Sequence, residues 1–69
     1  MRAYRKLVVG KPVIVNLKTG RAFRGVLFET RGELLVLRNA DLIEEDRVVP
    51  VEGSVVVERR HVDFIQVSG

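Results

Sequence analysis

The segment Glu58-Arg59-Arg60-His61 places two adjacent guanidinium groups, a carboxylate and the only histidine of the chain between two runs of strand-forming residues. Paired arginine forks suit phosphate oxygens, so the chemistry on offer is binding of a polyanion. The competing explanation is a solvated turn in which Glu58 pairs with a neighbouring arginine, an arrangement that contributes only ~0–1 kcal/mol. A second basic turn, Arg31-Gly32, lies earlier in the chain, and Arg2, Arg5 and Lys6 form a further basic group near its start. The His61 imidazole could stack on a base or simply open the strand that follows.

Other chemistries are missing their residues. There is no cysteine, which excludes disulfides and thiolate metal sites, and a lone histidine leaves no zinc site of the usual ligand count. No carboxylate pair, nucleophile with a base, or phosphate loop can be discerned. The reading is therefore a protein that is not an enzyme, with no catalytic residue, no metal and no cofactor. No apolar run approaches the roughly 18 residues that span a bilayer, and MRAYRKLVVG lacks the pattern of a signal peptide. A soluble, cytoplasmic protein without a membrane partner is expected.

Charge is unevenly distributed. Residues 1–28 carry seven cations and no acid, whereas residues 29–69 carry five arginines against nine acids, for a net charge of +3. Such polarity fits a basic surface for nucleic acid, and it fits equally a scatter of solubilising side chains. At 69 residues with 46% hydrophobic content, the chain has more apolar side chains than one small core accommodates, and self-association would absorb the surplus.

These groups need elements to hold them. Tyr4, Leu7 and Val8 fall at helical spacing before Gly10, which predicts a short helix over residues 2–9. Val13, Val15 and Leu17 face one way and Asn16 and Lys18 the other, as in a strand, and Thr19-Gly20 is a tight-turn signal. Gly25, inside the next run, marks a sharp bend or a close backbone approach. Leu34-Leu35-Val36-Leu37 is apolar on both faces, which predicts cover on each. Val48–Val57 forms a fourth run containing Pro50 and Gly53, and Val62–Val67 a fifth. The result is an all-β fold, a small, strongly bent antiparallel barrel of five strands over about residues 11–67, in a single domain spanning 1–69.

PVIVNLKTGRAFRGVL resembles the first motif of the Sm/LSm (Sm-like, Hfq-like) family, through Val13, Val15, Leu17, Lys18, Gly20, Phe23, Gly25 and Leu27. LLVLRNA at 34–40 is similar to the family's third strand, and GSVVVERRHVDFIQV at 53–67 stands where its second motif falls. The resemblance implies an N-terminal helix on an SH3-type barrel. It also implies rings of about six or seven subunits, closed by pairing the fourth strand of one subunit with the fifth of the next. Val55, Val56, Val57, Phe64, Ile65 and Val67 would then line the subunit interface.

Family members typically bind uridine-rich RNA at the inner rim, and here the pattern departs. Leu34 stands at the position of the base-reading asparagine, Gly32 at the stacking position, and Glu58 in place of the stacking arginine. What the resemblance then implies is a homo-oligomeric ring that contacts RNA or other single-stranded nucleic acid through Arg31, Gly32, Arg59, Arg60 and His61, with uridine selectivity weakened or lost. Arg2, Arg5 and Lys6 would form a secondary basic face. Two alternatives stay open: a structural or adaptor ring whose main partner is a protein, and a monomeric SH3-like module.

Overall fold

In the computed structural model, residues 8–67 are described. Most of the helix expected over 2–9, with Arg2, Tyr4, Arg5 and Lys6, lies outside them. The described residues form an antiparallel sheet of six strands: β1 (Pro12–Leu17), β2 (Ala22–Arg31), β3 (Leu34–Glu44), β4 (Arg47–Pro50), β5 (Val55–Glu58) and β6 (Val62–Val67). A three-residue 3₁₀ turn, Arg59–His61, joins β5 to β6.

Two features differ from the expected five-stranded barrel. The fourth run is divided: Pro50 ends β4, Gly53 takes a positive φ of 76°, and the chain resumes as β5. Both halves pair with β3, from Asp41↔Pro50 to Glu44↔Arg47 and from Leu34↔Glu58 to Leu37↔Val55. Between them the Val51 amide donates to the Ala40 carbonyl at 2.9 Å. The sheet, moreover, is not closed: its path runs β4-β3-β2-β1-β6, with β5 beside β3. Because β4 and β5 follow one another along the same side of β3, neither pairs with β6, and both ends of the path are strand edges.

Strand alternation fills the core. Val13 and Val15 of β1, Leu27 of β2, Leu35, Leu37 and Ala40 of β3, and Val57 of β5 are buried together with Val8. Leu17, Phe23, Val55, Val62 and Ile65 pack against them. The cover expected on both faces of residues 34–37 is present on one only. Leu35 and Leu37 point inward, while Leu34 is exposed and Val36 half-buried on the opposite face.

The bend of β2 over β3 is produced at Gly25. Val26 pairs with Arg38 and Arg24 with Asp41, so Asn39 and Ala40 together face Gly25 across a bulge. Asn39 adopts φ 53° there, a left-handed conformation that asparagine tolerates better than most residues. A β-carbon at Gly25 would lie 2.9 Å from the Arg38 carbonyl oxygen and 3.1 Å from the Ala40 α-carbon. Those obstacles are backbone and cannot step aside. Gly25→Ala is expected to destabilise the fold by about 1–3 kcal/mol, read as a lowered urea midpoint at fixed protein concentration. An unchanged midpoint would remove the close approach as the reason for glycine.

Candidate nucleic-acid interface

Backbone hydrogen bonds link three turns of the chain. The first joins β2 to β3 through Gly32 and Glu33, between the paired residues Arg31 and Leu34. Gly32 has φ 57°, which a residue without a β-carbon adopts without strain. The second is the 3₁₀ turn, in which the Arg59 amide donates to the Glu33 carbonyl at 2.8 Å. The third is the turn after β1, where the Lys18 amide donates to the His61 carbonyl at 2.9 Å. Arg59–His61 is thus tied at both ends, to the β2–β3 turn and to the end of β1.

The structure therefore brings Arg31, Gly32, Arg59, Arg60 and His61 into one region, with Lys18 beside it. Sequence reasoning named the first five and passed over Lys18, because only the antiparallel pairing of β1 with β6 reveals its neighbour. Among the described residues there is no group of three metal-ligating side chains.

The positive charge of this region is balanced pairwise. Arg31 Nε lies 3.6 Å from Glu29 Oε2, Arg59 Nη1 lies 3.6 Å from Glu33 Oε2, and Arg60 Nε lies 3.2 Å from Glu58 Oε1. Glu29 was not anticipated as a partner. Its place two residues before Arg31 on one strand was the available signal, since residues i and i+2 share a face. Leu34 brings an apolar side chain and Gly32 none, so neither offers donors or acceptors on a side chain for a base edge.

The uneven charge of the sequence is likewise resolved across strands. Arg24 Nη2 meets Asp41 Oδ2 at 3.1 Å, Arg21 Nη1 meets Glu44 Oε2 at 3.5 Å, and Arg47 Nε meets Glu44 Oε1 at 3.1 Å. Two cations of the basic first half are thereby neutralised by acids of the second. The Arg47 guanidinium that donates to Glu44, aided by Arg21, holds this carboxyl below its usual range. A depressed folded-state pKa contributes stability above the unfolded value of 4.5 and loses it as pH falls through the folded value. Replacing Glu44 by Gln is expected to lower the thermal midpoint at pH 7, with the gap to wild type narrowing as the pH falls below the unfolded value; a gap that persists in strong acid would contradict this origin.

Much of the apolar surplus lies on the edge strands, with Phe28 of β2 and Leu34 of β3 exposed as well. Val48 and Val49 of β4, Val56 of β5, and Phe64 and Val67 of β6 are exposed, and Val56 and Phe64 retain 57% and 54% of their accessible surface. Of the six residues expected at a subunit interface, Val57 is buried at 6% in the chain's own core, and Val55 and Ile65 are half-buried against it. Alternation along β5 explains this: Val55 and Val57 point inward and Val56 outward.

No protein-family model matches this chain, and no curated protein sequence does. Solved structures do. The Sm protein of Pyrococcus abyssii, solved in complex with a uridine heptamer, is 29% identical, with a TM-score of 0.85 over 97% of this chain and 96% of that one. The SmAP1 heptamer of P. aerophilum is 28% identical, with a TM-score of 0.82 over 100% and 93% of the two chains. A chain of the NatC complex bound to CoA is 26% identical, with a TM-score of 0.79 over 87% and 78%. The chain thus shares the fold of solved Sm proteins and is similar to them in a bent antiparallel sheet across nearly its whole length.

Proposed function

We propose that this chain assembles into a closed homo-oligomeric ring of about six or seven subunits and binds RNA, or single-stranded nucleic acid more broadly, by its phosphates. The observation that carries the reading is the bond from the Arg59 amide to the Glu33 carbonyl. It joins the two arginine-bearing turns into one surface. Arg31, Arg59 and Arg60 contact the backbone, and His61 stands beside them. Uridine selectivity is weakened or lost, because Leu34, Gly32 and Glu58 lack the groups that read and stack a base in the family pattern. Arg2, Arg5 and Lys6 supply a second basic face. The role is binding rather than catalysis, and the location is cytoplasmic.

The two open edges support the ring. An edge strand left unpaired invites another strand, and here one edge carries Val48, Val49 and Val56 and the other Phe64 and Val67. Head-to-tail pairing of β4 and β5 with a neighbour's β6 leaves no edge once the ring closes. The likeness to heptameric and uridine-bound Sm proteins supports the same reading. Burying one such side chain contributes on the order of 1.5–3 kcal/mol. Phe64→Asp is therefore expected to reduce the assembly to monomers in native mass spectrometry, and a ring of unaltered mass would rule β6 out of the interface.

Binding of a single-stranded oligonucleotide should weaken steeply with salt, as phosphate contacts require. In an Arg59→Ala/Arg60→Ala variant that still forms rings, affinity is expected to fall at least about tenfold, since two charge-assisted contacts are removed per subunit. Unchanged affinity would sink the proposed contact.

A second reading, an adaptor ring for a protein partner, is favoured by the three glutamates that neutralise the arginines and by the likeness to a chain of the NatC complex. Intact rings purified with an absorbance ratio typical of protein, and indifferent to added oligonucleotide, would favour it.

A further inference from the structure

We propose that Glu29, Glu33 and Glu58 are built-in competitors of the ligand: in the free protein their carboxylates stand in ion-pair contact with the arginines that phosphates take in the complex. The inference rests on the nucleic-acid reading above and assigns these acids the control of its affinity.

Each of the three arginines has its own glutamate, at 3.6, 3.6 and 3.2 Å for Arg31, Arg59 and Arg60. The acids come from three places, Glu29 within β2, Glu33 in the β2–β3 turn and Glu58 at the end of β5. Each pairing is a single ion-pair contact rather than a two-bonded fork, so each glutamate offsets the charge a phosphate would meet without engaging the guanidinium fully.

Exposure distinguishes these acids from those that hold the sheet together. The side chains of Asp41 and Glu44, which bind arginines across β2, β3 and β4, are 30% and 27% exposed. Those of Glu29, Glu33 and Glu58 are 40%, 79% and 49% exposed. Glu33 is the extreme case: its partner Arg59 is only 29% exposed, so the cation is held by its surroundings while the acid is free to swing into water. Exposed pairs of this kind are weak and readily exchanged.

Binding is then an exchange, in which an incoming phosphate displaces a carboxylate at each arginine. A single phosphate gains little over the glutamate it replaces. A strand whose successive phosphates meet several subunits gains through effective concentration. The acids thus select long single strands over mononucleotides and short anions.

The test uses a fluorescein-labelled single-stranded RNA of about twenty nucleotides, fluorescence anisotropy, and three proteins whose ring mass and thermal midpoint are first shown to agree. These are wild type, Glu33→Gln/Glu58→Gln, and the control Glu45→Gln/Asp46→Asn, which makes the same charge change at the β3–β4 turn. The rim variant is expected to bind about five- to twentyfold more tightly than wild type, and the control to stay within about twofold. Binding by the rim variant alone supports the inference in its strongest form. A rim variant no tighter than the control overturns it while leaving the nucleic-acid reading intact. Intact rings of wild type and rim variant that both fail to bind overturn that reading, and the inference falls with it.

Discussion

At Gly25 the backbones of β2 and β3 approach so closely that a methyl group would stand 2.9 Å from the Arg38 carbonyl oxygen. Opposite, Asn39 turns through a left-handed conformation and adds one residue to β3. A bulge of this kind bends a strand and increases its twist. Here it divides β3 into two stretches, one paired with β5 and the other with β4. The interrupted fourth run, the open edges and the core wrapped by β1 and β6 all depend on that bend. Were β3 straight, its pairing partner would have no need to break at Pro50 and Gly53.

The same geometry brings the arginine-bearing turns together. Leu34 begins β3 and pairs with Glu58 at the end of β5, which, with the bond from the Arg59 amide to the Glu33 carbonyl, sets the β2–β3 turn beside the 3₁₀ turn. The charges nearby are then handled in two ways. Across β2, β3 and β4 they form a ladder of arginines with the less exposed acids Asp41 and Glu44. At the linked turns they form exposed pairs that solvent screens.

Much of this was legible in the sequence. The alternation of Val13, Val15 and Leu17, the turn at Thr19-Gly20 and the glycine at 25 report local rules of backbone and burial, and the strands they mark are present. The junction of Arg31 with Arg59 and Arg60 was legible only through the family resemblance, because their neighbourhood arises from pairing over a long sequence separation. Two things were not legible. The pairing of Arg59 with Glu33, of Arg24 with Asp41 and of Arg21 with Glu44 depends on which strands and turns meet, which composition does not carry. The inward turn of Val57 was hidden because three consecutive valines look alike until the register with Leu35, Val36 and Leu37 sorts them.

The 3₁₀ turn holds a consequence of its own. Its first residue is fastened to Glu33 and its last to Lys18, so it spans from the β2–β3 turn to the end of β1, where β6 begins. It behaves as a strut rather than a loop. In an assembly of the proposed kind, a neighbour that grips β6 pulls on the same short piece of backbone that carries Arg59 and Arg60. Fit between subunits and the aim of these cations would then be one mechanical variable, with each joint of the ring setting the posture of the next binding turn.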